Sequence, residues 1–250
     1  MKNYACLVSY LGMNYAGFQR QSSLITIQGK LEECLSIFLD EEVLIKGAGR
    51  TDSGVNALGQ VFTFKTNRIF SLDKFSEKVN DLLPKDIYIL HIKEVDLNFD
   101  ARHSSVGKEY LYKFSLLDKN PLELGRVSYL KKNNFDFEKF KECLKLYEGE
   151  HDFKNFTSKK EDKDNFIRKI EFINIAEKDE LYEITLKSNG FMTYMVRILL
   201  GVAFKVAYGK ISLEEVSKSL DSIERKIYSF KAEPGGLYLK KVHYLENIFD

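Results

Sequence analysis

Gly49-Arg50-Thr51-Asp52-Ser53-Gly54-Val55 places one carboxylate in a short stretch flanked by glycines. Glycine lets a backbone approach a ligand closely and take conformations that a side chain forbids. A carboxylate presented on such a turn is suited to act as a nucleophile or a general base. The same residues also suit an ordinary turn in which Asp52 bonds its own backbone. A second candidate is Arg197, set within Phe191-Met192-Thr193-Tyr194-Met195-Val196-Arg197-Ile198-Leu199-Leu200. A helix that is apolar nearly all round is buried. A guanidinium buried in its middle needs a charged partner, because unpaired burial is costly. If that partner is Asp52, the pairing keeps the carboxylate ionised near neutral pH; a structural acid or an outlet to the surface would serve Arg197 equally.

These side chains must be carried by a scaffold, and hydrophobic spacing gives its outline. Tyr4 to Tyr10 reads as a strand, and Gly12 to Gly17 as a loop. From Ile27, the apolar residues Leu31, Cys34, Leu35 and Phe38 keep helical spacing. Gln60 to Lys65 alternates as a strand. Ser71 opens a helix that stops at Pro84, and Ile87 to Val95 is strand-like. The second half repeats the plan. Tyr110 to Leu116 is a strand, Asp136 caps a helix, and Arg168 to Ile175 pairs with Leu181 to Lys187 through a turn near Lys178-Asp179. A long helix is expected from Phe191 to Tyr208, Ser212 caps a last one, and Gly236 to Tyr244 closes with a strand. The fold class expected is α+β: two similar halves, residues 1–105 and 106–250, each with antiparallel sheet and helices. The polar stretch from Thr157 to Asp164 reads as an exposed loop.

Composition and missing motifs exclude much. Hydrophobic residues make up 44% of the 250 and charged ones 30%, which leaves no room for intrinsic disorder. Lys and Arg number 38 against 37 Asp and Glu, so a polyanion must meet a local basic face rather than a basic protein. Gly47-Ala48-Gly49 is followed next by Gly54, which breaks the dinucleotide fingerprint, and no phosphate-binding loop of the G-x4-G-K type exists. His91, His103, His151 and His243 are too dispersed for metal-ligand spacing. Cys6, Cys34 and Cys143 form no disulfide framework, so a reducing, cytoplasmic setting is expected. No signal-peptide pattern and no apolar run near ~20 residues point to a membrane.

The Asp52 segment continues as Val55-Asn56-Ala57-Leu58-Gly59-Gln60-Val61. Together with Gly49 to Gly54 it resembles the signature G-R-T-D-[AS]-G-V-H-A-x-G-Q-V of the TruA family of tRNA pseudouridine synthases. Four further blocks agree in order. Tyr10-Leu11-Gly12 through Tyr15-Ala16-Gly17-Phe18-Gln19-Arg20-Gln21 resembles Y-D-G-x-x-[FY]-x-G-[WF]-Q-x-Q. Phe99-Asp100-Ala101-Arg102 leading to Tyr110-Leu111-Tyr112 resembles F-x-A-R followed by Y-x-Y. Gly190-Phe191, Met195-Val196-Arg197 and Gly201 resemble F-x-x-x-M-V-R-x-x-x-G. Ala232-Glu233-Pro234-Gly235-Gly236-Leu237-Tyr238-Leu239 resembles A-P-x-x-G-L-Y-L. The blocks run from Tyr10 to Leu239, almost the whole chain.

The resemblance implies isomerisation of uridine to pseudouridine at positions 38 to 40 of the tRNA anticodon stem-loop, without metal or other cofactor. It implies two α/β halves joined into one central sheet with the catalytic cleft between them, and a homodimer acting on tRNA. Asp52 is then the nucleophile or base, Tyr110 stacks on the flipped uracil, and Arg197 attends Asp52. Leu237 and Tyr238 line the base pocket, Arg50 contacts phosphate or orders the loop, and Arg20, Arg102, Lys108, Lys159 and Lys160 meet the tRNA backbone. Glu32, Glu33, Glu41 and Glu42 are expected on the opposite face, which balances the net charge. Three departures bear on substrate choice: Asn56 and Asp100 each replace a customary His, and Lys108-Glu109 replaces a basic pair. A synthase acting at another RNA position, a non-catalytic RNA-binding protein and a small-molecule enzyme are the alternatives.

Overall fold

The computed structural model describes residues 1–158 and 165–249, so Lys159, Lys160 and most of the expected Thr157–Asp164 loop lie outside the described residues. In chain order the strands and helices are β1 (Lys2–Tyr10), α1 (Ile27–Leu39), β2 (Lys46–Gly47), β3 (Asn56–Thr66), α2 (Leu72–Leu82), β4 (Ile87–Val95) and β5 (Ser105–Ser115). There follow β6 (Ser128–Tyr129), α3 (Phe137–Leu146), β7 (Gly149–Asp152), β8 (Ile167–Lys178), β9 (Leu181–Ser188), α4 (Met195–Ala207), α5 (Leu213–Ser219) and β10 (Leu237–Tyr244). Among the described residues no helix is long and apolar enough to cross a membrane.

The chain divides into two compact units: Met1–Val106 together with the segment from Tyr238 onward, and Gly107–Leu237. The closing strand therefore packs with the first unit, where the sequence had placed it with the second half. The cause is a parallel pairing of β10 with β3, Tyr238 opposite Asn56 and Leu239 opposite Ala57. In the first unit the strands lie in the order β4-β1-β3-β10, with β1 antiparallel to both β3 and β4. In the second, β5-β9-β8-β7 run antiparallel. The short β6 pairs parallel with β5. The α+β class stands, but the pairing is mixed rather than purely antiparallel.

Local chemistry explains the boundaries. Thr26 Oγ1 accepts from Gly29 N at 3.2 Å and Asp136 Oδ1 from Lys139 N at 3.0 Å, the N-caps of α1 and α3. Ser212 Oγ does the same for α5, accepting from Glu215 N at 3.1 Å. Asp179 and Glu180 both take positive φ, 53° and 58°, which is what a two-residue hairpin between β8 and β9 demands. Each unit is centred on stacked aromatic rings. Phe75 stacks on Phe64 with ring centres 6.0 Å apart in the first, and Phe140 on Phe204 at 5.4 Å in the second. All four are almost wholly buried, each contributing about 1.5–3 kcal/mol of transfer free energy.

Candidate active site

Asp52 stands half-buried on the turn between β2 and β3. Its carbonyl accepts from Val55 N at 3.1 Å, and Gly54 takes a φ of 76°, the left-handed conformation that a type II turn needs at its third residue. The loop between β1 and α1 grips this turn from outside. Phe18 N donates to Thr51 O at 3.1 Å, Ser53 Oγ to Tyr15 O at 3.2 Å, and Gly12 N to Asn56 Oδ1 at 2.7 Å. Contact is so close that a Cβ on Gly12 would fall 2.0 Å from Val55 O, and one on Gly17 2.8 Å from Thr51 O. The loop is itself fastened by Asp86, whose carboxylate accepts from Tyr15 Oη at 2.5 Å and Asn14 Nδ2 at 3.0 Å. Residues on both sides of Asp52 are thus held by backbone contact.

Beneath the turn, Tyr10 and Thr51 share a buried hydroxyl–hydroxyl bond of 2.8 Å. Gln60 Nε2 donates to Gly49 O at 2.9 Å and Gln60 Oε1 accepts from Val61 N at 3.1 Å. Burial pushes the Tyr10 phenol upward, against the hydrogen bonds of Thr51 and Gln60, so it stays neutral. Tyr10→Phe removes the hydroxyl from this buried bond and is expected to cost about 1–2 kcal/mol and to lower turnover. Urea unfolding and single-turnover assays check both, and a wild-type result in each would show the bond to be idle.

The remaining first-unit candidates spread around this core. Arg50 is exposed. Arg20 is exposed too, but its Nε lies 2.7 Å from Glu32 Oε2. Glu32 is 1% exposed and also accepts from Gln28 Nε2 at 2.8 Å and Ile45 N at 3.0 Å. Expected with Glu33, Glu41 and Glu42 on the opposite face, Glu32 is a buried tie between α1 and the approach to β2. Arg102 is exposed in a turn capped by Asp100, whose Oδ1 accepts from the backbone N of Arg102 and of His103, each at 2.9 Å. Burial tends to raise the Asp100 carboxyl, but those two bonds and the charges of His103 and Lys46 hold it below the usual range. Asn56 and Asp100, the two departures from His, both have structural work: one binds the glycine loop, the other caps a turn. Tyr238, 7% exposed, lies beside Asn56 on β10, with Leu237 buried just before it.

In the second unit, Tyr110 on β5 is buried, and its ring meets Phe191 edge-on, 5.1 Å between centres at 86°. Lys108 is half-buried on the same strand, and Glu109 lies opposite Lys187 of β9. The helix expected from Phe191 begins only at Met195, because Tyr194 caps it in the left-handed conformation, φ 59° and ψ 4°. Arg197 accordingly sits in the first turn, half-buried, rather than in the middle of a buried helix. Its Nε donates to Ala232 O at 2.8 Å, and its own carbonyl accepts from Ala232 N at 2.8 Å. A Cβ on Gly201, one turn on, would fall 2.7 Å from Phe230 O. Sequence spacing gave no sign of this chain crossing; the glycine one turn after the arginine was its only trace.

A family model described as tRNA pseudouridine synthase matches residues 6–104 and 143–245. The chain belongs to that family. The matched residues include Asp52, Arg197 and the whole of β10, while Tyr110 falls in the interval between the two matched ranges. This tRNA pseudouridine synthase is 37% identical over 244 residues to a tRNA pseudouridine synthase A of a Geobacillus strain, covering 97% of this chain and 98% of the relative. A tRNA pseudouridine synthase A of Aquifex aeolicus matches at 37% over 97% of this chain and 99% of its own. The tRNA pseudouridine synthase A 2 of Clostridium perfringens matches at 38%, over 98% and 100%. Family membership makes this synthase an isomerase that forms pseudouridine in tRNA, as the five sequence blocks imply.

Proposed function

We propose that this synthase converts uridine to pseudouridine at positions 38 to 40 of the tRNA anticodon stem-loop, with Asp52 as nucleophile or general base. The observation that carries the proposal is the fixed turn: a carboxylate left half-buried while backbone contacts from Gly12 and Gly17 immobilise the residues around it. Positioning of this kind is what makes a carboxylate effective, since small misplacements of a reacting group are costly in rate. The reaction breaks the C1′–N1 bond, turns the uracil and forms C1′–C5. N1 gains a proton and C5 loses one, so the change balances with no oxidant, reductant or nucleotide.

The other roles follow by chemistry. Tyr110, its ring plane set by Phe191, stacks on the extruded uracil, worth about 1–3 kcal/mol. That contribution offsets part of the cost of extruding the base. Leu237 and Tyr238 line the base site. Arg50, Arg102 and Lys108 meet tRNA phosphates, and Arg20 does so only with the guanidinium nitrogens that Glu32 leaves available. The protein works as a cytoplasmic homodimer.

Arg197 is proposed as the cation that favours the ionised form of Asp52. Arg197→Met is then expected to lower kcat by about 10²-fold or more, and to move the acid limb of kcat/KM to higher pH, because a carboxyl without a cation protonates more readily. An unmoved acid limb would assign Arg197 a different partner. The whole reading is tested with purified protein and unmodified tRNA transcripts, mapping pseudouridine by position. Product at 38 to 40 supports it; product elsewhere keeps the chemistry and overturns the target, and none at all overturns both.

A further inference from the structure

Of the thirteen residues of α4, only Arg197 and Lys205 are not buried, and Gly201 lies midway between them. These three fall at i, i+4 and i+8, one stripe of the helix. The segment from Phe230 to Ala232 lies along that stripe. Lys205 Nζ sits 5.0 Å from the centre of the Phe230 ring, Gly201 admits the Phe230 carbonyl, and Arg197 exchanges two hydrogen bonds with Ala232. Between them stands Tyr194, whose ring has Lys231 Nζ 3.8 Å from its centre and Arg197 Cζ at 5.7 Å.

One feature of Tyr194 and one of Arg197 call for a cause. A tyrosine in the left-handed region is strained, where glycine would not be, and persistent strain of this kind gathers at functional sites. Arg197 also lies in the first turn of its helix, where the positive end of the helix dipole opposes a cation. Ala232 O holds its Nε, and the Tyr194 ring lies against the same guanidinium. From this we infer that Tyr194 is a positioning residue for Arg197. Its ring faces the guanidinium directly. Through Lys231 it also pins the residue next to Ala232, whose carbonyl takes the Arg197 Nε hydrogen. The left-handed backbone is what turns the ring towards both cations.

This inference rests on the proposed part of Arg197 in turnover, and the test separates the two. Tyr194→Gly relieves the backbone strain and removes the ring. It is expected to lower kcat about tenfold through the loss of the ring's contact with Arg197, with KM little changed; the contact with Lys231 is lost as well. Its unfolding temperature is expected to equal or exceed that of the wild type. Tyr194→Phe, which keeps the ring, should restore kcat, and Tyr194→Leu should not. A purely structural tyrosine would move kcat and unfolding temperature down together, and that outcome overturns the inference, as does wild-type kcat in Tyr194→Gly. Arg197→Met is measured beside them. If it turns over normally, the role of Arg197 fails and the inference with it; if it is impaired while Tyr194→Gly is not, only the inference fails.

Discussion

Asp52→Asn is expected to lower pseudouridine formation on the order of 10⁴-fold or more, the scale seen when a reacting group is removed from an otherwise intact site, while tRNA binding stays within a few-fold of wild type. Asparagine is the informative replacement because it keeps the shape of the turn. The Asp52 carbonyl still accepts from Val55 N, and Gly54 still supplies the positive φ. Only the charge and one carboxylate oxygen are lost. Filter binding and turnover on the same transcript separate affinity from chemistry. Turnover close to wild type would remove Asp52 from the reaction, and a matching loss of affinity would make it a binding residue.

Gly12→Ala is expected to have the next largest effect. Its new methyl would sit 2.0 Å from Val55 O, and the obstacle is backbone, not a side chain that can swing aside. Nor is the loop free to withdraw, since Leu11 N donates to Asp86 O at 2.9 Å and the Asp86 carboxylate holds Asn14 and Tyr15. Either the loop or the Asp52 turn must shift. Overpacking of this kind costs about 1–3 kcal/mol. A reacting group displaced by about 1 Å loses on the order of 10²-fold in rate. Gly209→Ala is the matched comparison. Gly209 has a φ of 66° and nothing within 4 Å of its added Cβ, so it should lose about 1–2 kcal/mol through backbone strain alone and keep its activity. Equal activity losses in the two variants would mean that the cradle does not position Asp52.

Much of this arrangement was legible in the sequence, for reasons that can be named. β4 occupies Ile87–Val95, and Asp136 and Ser212 cap the helices expected of them, because alternation and capping are local signals. The Asp52 turn was readable because glycines at 49 and 54 punctuate it. What escaped was non-local or very short. β2 and β6 have two residues each, too few to carry a period. The start of α4 was misread because Phe191 to Tyr194 are mostly apolar, and hydrophobicity does not register a backbone turned left-handed at Tyr194. The burial of Glu32 had no local sign, because two of its partners, Arg20 and Ile45, come from outside its helix. Tyr10, Thr51 and Gln60 belong to the family-like motifs, yet their meeting under the Asp52 turn depends on the register of β1 with β3, which pairs Val8 with Gln60.

The place of β10 has a consequence for synthesis. As the polypeptide leaves the ribosome, β5, β9, β8 and β7 can pair with one another before the segment from Tyr238 appears. The portion made first, which holds Asp52, waits longest. Until Tyr238 and Leu239 emerge, the β10-facing edge of β3 lacks this neighbour, close in sequence to Asp52. Vectorial translation thus reverses the usual order, in which N-terminal domains finish first. A nascent chain stalled short of residue 238 would carry Asp52, Tyr110 and Arg197, with an Asp52 turn on a β3 that still lacks its parallel neighbour.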